Sequence, residues 1–202
     1  LGGGGLKGFA HIGVLRALEE AGIRPALYAG TSIGALIAAA AVGGMSADEL
    51  GQRAEALRRR DLFRINHLGM LMERMRSPAI YLSEPLRNVV DEVAPAGTFA
   101  DLKTPLLVNT VDLERATRVV WGLPGMRDVS VRDAVYASCA LPGFFPPTDV
   151  GGRPCVDGGV IDNLPAAAAA LGMDAMIAVD VGSSDVRPQP KIAAQGFAAI
   201  YM

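Results

Sequence analysis

The sequence predicts an α/β fold: one sheet with helices on both faces, in a single domain. Stretches of strand character alternate with stretches of helical periodicity along most of the chain. Its 202 residues are half hydrophobic and one-fifth charged, enough to bury one core and too apolar for disorder. Glycine-containing turns stand where strands would hand over to helices.

Gly8 to Glu20 sets Phe9, Ile12 and Leu15 at helical spacing, with Val14 and Leu18 alongside, and Gly22 fits a C-terminal stop. Ala26 to Ala29 is a short strand and Ser32 to Val42 a helix. The apolar run Ile33 to Val42 is about half of what a membrane span requires, so it reads as a buried helix. Ser46-Ala47-Asp48-Glu49 is a capping box opening the next helix, and Ser83-Glu84-Pro85 opens another with proline in its first turn. Leu106 to Val111 and Thr117 to Trp121 are strands joined by a short connection, hence antiparallel neighbours. Ser130 to Ser138 is a helix ended by Leu141-Pro142-Gly143. Cys155 to Asp157 is a short strand, Leu164 to Leu171 an alanine-rich helix, and Ala175 to Val181 a buried strand. Asp185 to Pro190 is a polar loop.

The net charge of −2 gives no basis for a nucleic-acid partner. Cys139 and Cys155 read as reduced, packed thiols of a reducing compartment, which predicts a cytoplasmic location; a disulfide between them is the alternative. No two of Cys139, Cys155, His11 and His67 have ligand-like spacing, so no metal is expected.

Gly3-Gly4-Gly5-Leu6-Lys7-Gly8 fits the G-x-G-x-x-G of a phosphate cradle. A dinucleotide fold also needs an acidic residue about 20 positions on, yet Ala21 to Ala47 contains no Asp or Glu. A Walker loop needs Gly-Lys followed by Ser or Thr, whereas Lys7 lies between Leu6 and Gly8. Backbone N–H groups gathered at a helix start still favour negative charge, and they serve equally for an oxyanion formed during acyl transfer.

Gly30-Thr31-Ser32-Ile33-Gly34 lies between a predicted strand and a predicted helix, the setting of a nucleophile elbow. The bland alternative makes Ser32 a helix cap. A base is then needed. His67 sits in an Arg- and Met-rich stretch, and His11, inside the first helix, suits a structural hydrogen bond better. Asp157 is the other candidate; it ends a strand before two glycines, and burial would raise its ordinary pKa of about 4 into a useful range. Asp157-Gly158 also has the composition of a plain turn.

Taken together, the glycine stretch, Gly30-Thr31-Ser32-Ile33-Gly34 and Asp157-Gly158-Gly159 resemble, in order and spacing, the patatin-like phospholipases, a family of lipid acyl hydrolases. Ala10 to Leu15, Ala137 to Pro147 and Ile161-Asp162-Asn163-Leu164-Pro165 agree as well, and the resemblance runs from Leu1 to about Gly182. It implies a three-layer sandwich with a mostly parallel central sheet. It also implies a Ser32–Asp157 dyad without histidine, an oxyanion hole from the backbone of Gly3, Gly4 and Gly5, and no cofactor. Gly8, Gly30, Gly34, Gly158 and Gly159 support the motifs. Lys7 either steadies anionic charge or meets a lipid phosphate, or is simply solvated. Residues 1–202 would form one catalytic domain, short of the strand leading into the glycine stretch and shortened at its C-terminus. The implied substrate is a lipid or other ester, cleaved by a phospholipase A, lysophospholipase or esterase activity. A catalytically silent lipid-binding or regulatory protein on the same fold is the rival.

Arg53 to Arg76 carries seven arginines against three acids, net +4, interleaved with leucines and methionines. It reads as a lid in peripheral contact with an anionic membrane, or as an ordinary helix with one packed face.

Overall fold

One strand organises the sheet. In the computed structural model, which describes residues 1–67, 79–170 and 172–182, strand β2 (Leu106–Asp112) is buried along its whole length. On one side β3 (Thr117–Trp121) runs antiparallel along Val108–Asp112. The other side is shared. There β1 (Tyr28–Thr31) runs parallel along Leu106–Asn109, and β5 (Arg153–Asp157) runs antiparallel along Thr110–Asp112. The short β4 (Thr148–Val150) pairs beyond β5. Strands β1 and β5 therefore approach each other head-on: Thr31 stands opposite Asn109, and Asp157 opposite the next residue, Thr110.

The sheet is mixed, a correction to the mostly parallel one expected: among the described strands one pairing is parallel and three are antiparallel. Connection length explains two of the three antiparallel pairings, β2–β3 and β4–β5, because a parallel pair needs a crossover whereas short loops allow only hairpins. Gly151-Gly152, both at positive φ, join β4 to β5. Four residues join β2 to β3, with Asp112 Oδ1 accepting the N–H groups of Glu114 and Arg115 at 3.0 and 3.1 Å.

Helices α2 (Ile33–Val42), α5 (Ser83–Val93) and α6 (Val131–Cys139) build the main core against β2 and β3, around Val90, Phe99, Val108, Trp121 and Tyr136. Helix α2 is apolar on every side because it is enclosed: Ile37 and Ala40 meet α1 (Ala10–Glu20) and α3 (Ala47–Ala56) on its far side. The predicted capping box at Ser46 and Glu49 forms in full. On the opposite face of the sheet lies a smaller cluster of Ala29 and Leu107, with Ala169 of the four-residue α7 (Ala166–Ala169) against it.

Ala175–Val181 is not a buried strand. Met176 and Ile177 are exposed, and among the described residues the segment is tied back by the Gly2 N–H, which donates to the Val179 carbonyl at 2.9 Å. An apolar run becomes a buried strand only where neighbours complete its ladder.

Of the candidate lid, residues 68–76 lie outside the described ones, as does the loop at 185–190. The first half packs down. After α4 (Arg59–Leu62), the Phe63 ring meets Tyr81 at 5.2 Å and Phe145 at 5.9 Å. Arg53 and Arg64 pair with Glu92 and Glu84 of α5 across a concavity of about 490 Å³. None of the dyad or glycine-stretch residues lines it.

Candidate active site

The head-on approach of β1 and β5 brings two residues 125 positions apart into contact. Ser32 follows β1, Asp157 ends β5, and Ser32 Oγ donates to Asp157 Oδ2 at 2.7 Å. Ser32 makes no side-chain cap to α2, so the capping alternative fails.

Ser32 has φ 54° and ψ −128°, a conformation costing a side-chain-bearing residue about 1–3 kcal/mol. Its surroundings impose it. Its N–H donates to Ser138 Oγ at 2.8 Å, and the Ser138 hydroxyl donates to the Asn109 carbonyl at 2.7 Å. Its carbonyl accepts the N–H groups of Ala35 and Leu36. The flanking glycines leave room for the sharp turn. A Cβ on Gly30 would stand 2.5 Å from Gly34 and Ala35 backbone atoms, and one on Gly34 would strike the carbonyls of Leu1 and Gly2. The crowding they relieve is thus between the turn's own arms and against the glycine stretch.

Asp157 is 5% exposed. Burial pushes its carboxyl up to about 6, against the lowering effect of hydrogen bonds from Gly159 N–H and the Ser32 hydroxyl. Oδ1 accepts Gly159 N–H at 2.8 Å, forming the turn that the Asp-Gly pair suggests, while Oδ2 takes the serine. Oδ1 thus makes the turn, and Oδ2 is the oxygen left facing the Ser32 hydroxyl. Gly158 must be glycine, since a Cβ there would overlap the Asn109 carbonyl.

The glycine stretch lies alongside. Gly8 lets the first turn pack on Ile33, where a Cβ would collide. Lys7 is exposed. Gly3 departs from its expected role as an oxyanion donor, because its N–H already donates to the Asn163 carbonyl at 2.9 Å. The N–H groups of Gly4 and Gly5 have no hydrogen-bond partner among the described residues. His11 is fully buried, and its Nε2–H donates to the Gly2 carbonyl at 2.8 Å. Burial lowers its pKa. It braces the loop as a neutral donor, and no histidine contacts Ser32 or Asp157 among the described residues.

Three polar residues, Ser138, Asn109 and Asn163, received no role from the sequence, although Ser138 and Asn163 lie in stretches that carry the resemblance. Asn109 Nδ2 donates to Thr31 Oγ1 at 3.2 Å and to the Asp162 carbonyl at 2.6 Å, tying β1 to the loop after Asp157. Arg118 holds the Asp162 carboxylate at 2.6 Å. The partners are distant in sequence, and no local pattern announces them. Both cysteines are free, and burial keeps them as thiols by raising their pKa. Among the described residues no group of three His, Cys, Asp or Glu side chains is placed to hold a metal.

The arrangement is a hydroxyl bonded to a buried carboxylate, beside backbone donors that have no partner among the described residues. Chemically, that can perform acyl transfer. Residues 1–170 match a family model described as patatin-like phospholipase. An uncharacterized NTE family protein of Mycobacterium tuberculosis is 32% identical over 200 residues, 96% of this chain and 52% of that protein. Patatin-like phospholipase domain-containing protein 6 of Homo sapiens is 34% identical over 197 residues, 92% of this chain and 13% of that one. Lysophospholipase NTE1 of Mycosarcoma maydis is 34% identical over 196 residues, 92% and 10% respectively. The chain spans about half the length of the mycobacterial relative and a smaller share of the other two.

Proposed function

The chain belongs to the patatin-like phospholipase family, and from that premise we propose that it is a serine acyl hydrolase cleaving carboxyl esters of lipids or phospholipids through Ser32 and Asp157. The observation that carries this reading is the 2.7 Å hydrogen bond between a serine on a strained elbow and a buried carboxylate.

With its pKa at about 6, Asp157 is mostly ionised at pH 7 and still basic enough to accept a proton. It takes the Ser32 proton as Oγ bonds to the ester carbonyl carbon. Backbone N–H groups of the glycine stretch hold the oxyanion, each good donor contributing about 3–4 kcal/mol. The C–O bond then breaks, and the leaving alcohol or lysolipid takes the proton from Asp157. Water, deprotonated by Asp157, attacks the acyl-Ser32 ester; the acid leaves and Ser32 recovers its proton.

A lipid surface is the natural source of substrate. Leu6, Val160 and Ile161 are 61%, 57% and 52% exposed, and they stand on the two loops that carry the glycines and follow the base. No helix among the described residues is long and apolar enough to cross a membrane, so the contact proposed is peripheral. A fluorophosphonate probe tests the reading. It should label the wild type once per chain, fail on Ser32→Ala, and accompany turnover of p-nitrophenyl esters and phospholipids that Asp157→Asn largely loses. Lipid binding with neither labelling nor turnover would point instead to a silent binding protein.

A further inference from the structure

Two consecutive peptide units of the glycine stretch are clamped, and the clamps have a direction. In the Gly2–Gly3 unit the carbonyl accepts from His11 Nε2 at 2.8 Å, and the N–H donates to the Asn163 carbonyl at 2.9 Å. In the Gly3–Gly4 unit the carbonyl accepts from Asn163 Nδ2 at 3.0 Å. Gly3 is therefore bonded on both its peptide groups by one residue 160 positions away. A carbonyl oxygen only accepts, which identifies the facing Asn163 atom as the amide nitrogen. No peptide bond among the described residues is cis, and a trans peptide points its N–H opposite to its carbonyl. Anchoring the Gly3 carbonyl thus turns the Gly4 N–H to the other side of the chain, where it has no partner among the described residues.

We propose that Asn163 is the positioning residue of the oxyanion hole: its two bonds to Gly3 withdraw the Gly3 N–H from the hole and orient the Gly4 N–H into it. The proposal rests on the acyl-hydrolase reading above. The clamped residue adjoins the nucleophile, since a Cβ on Gly3 would lie 3.3 Å from Ser32 Cβ. It also adjoins the base's loop, since a Cβ on Gly159 would lie 3.0 Å from Asn163 Oδ1. Released from Asn163, the Gly3–Gly4 peptide is free to rotate. A flip would present the Gly3 carbonyl, an acceptor, to the developing negative charge.

The test compares wild type with Asn163→Ala and with Asn163→Leu, which keeps the branched shape of the amide and lacks its donor. Active sites are counted by fluorophosphonate titration. We expect kcat per titrated site to fall about 10- to 100-fold with KM within about twofold of wild type. Affinity for a trifluoromethyl ketone analogue, whose adduct oxygen takes the oxyanion position, should fall by the same factor as kcat/KM. A merely structural role would lower the number of titrated sites and leave kcat per site intact, and that result overturns the proposal. So does a kcat loss without a matching loss of analogue affinity. A wild type with no Ser32-dependent turnover overturns the hydrolase reading itself; an active wild type with unaffected variants overturns this proposal alone.

Discussion

Ser32 and Ala116 are the two non-glycine residues at positive φ among those described, 54° and 49°. They lie in opposite kinds of place. Ala116 is exposed in the turn between β2 and β3, and the turn is braced locally, by the Asp112 carboxylate a few residues away. Ser32 sits at the end of a buried strand, and the bonds that hold it come from Ser138 and Asp157, 106 and 125 positions on. A strained dihedral alone therefore does not mark a site. What sets Ser32 apart is strain sustained from afar, with the bonds converging on one hydroxyl-bearing residue.

The largest effect should separate the two positions outright. Ser32→Gly and Ser32→Ala should each lower kcat by at least about 10⁴-fold. In urea unfolding the glycine variant should nevertheless be the more stable by about 2 kcal/mol, the reverse of the usual order. If alanine is the more stable, the elbow is not strained.

Asp157→Asn should cost about 10³- to 10⁴-fold in kcat. For the wild type, kcat/KM should rise with pH and level off above about pH 6 as the carboxylate forms. Stability should run the other way. Burial raises this pKa from 3.8 to about 6, so in that window the folded protein keeps a proton that the unfolded chain has lost. Stability then falls as pH rises from about 4 to 6, by roughly 3 kcal/mol at pH 7. Asp157→Asn should therefore melt above wild type at pH 7 and level with it at pH 4; equal melting at both would mean that the carboxylate carries no burial penalty.

Ser138→Ala leaves the Ser32 N–H and the Asn109 carbonyl without their shared partner. It should cost about 1–3 kcal/mol of stability and about tenfold in kcat. Loss of stability with kcat per folded site intact would show that the elbow holds without this bond. The smallest effect belongs to Ala116→Gly, a gain of about 0.5–1 kcal/mol with kcat unchanged. A change in kcat there would break the contrast between the two positions.

The parts of the site legible in the sequence were local. Gly30 to Gly34 is recognisable because the steric demand of a tight strand-to-helix turn falls on residues two positions either side of Ser32. The β2–β3 hairpin is recognisable because four connecting residues leave one geometry. The antiparallel entry of β5 was not legible, since register and direction are settled across more than 40 residues of chain. Nor were the bonds that Ser138 and Asn163 make. A serine in a helix and an asparagine in a loop look ordinary until the residues they bond, Ser32 and Gly3, arrive beside them. The role of Gly3 depends on which way a peptide plane faces, and glycine's identity leaves that open. Ala175–Val181 misled because hydrophobicity states what a segment would bury, while its neighbours decide whether it can.

On the proposed function, the meeting of β1 and β5 along one edge of β2 makes turnover a gauge of sheet alignment. Sliding β5 by a single position would send the Asp157 side chain to the opposite face, away from the nucleophile. No short contiguous fragment contains both halves of the dyad, so competence should be among the last properties a refolding chain recovers. In stopped-flow refolding, enzymatic burst amplitude should lag the far-ultraviolet helix signal; simultaneous recovery would show that the two strand ends find each other before the sheet is set.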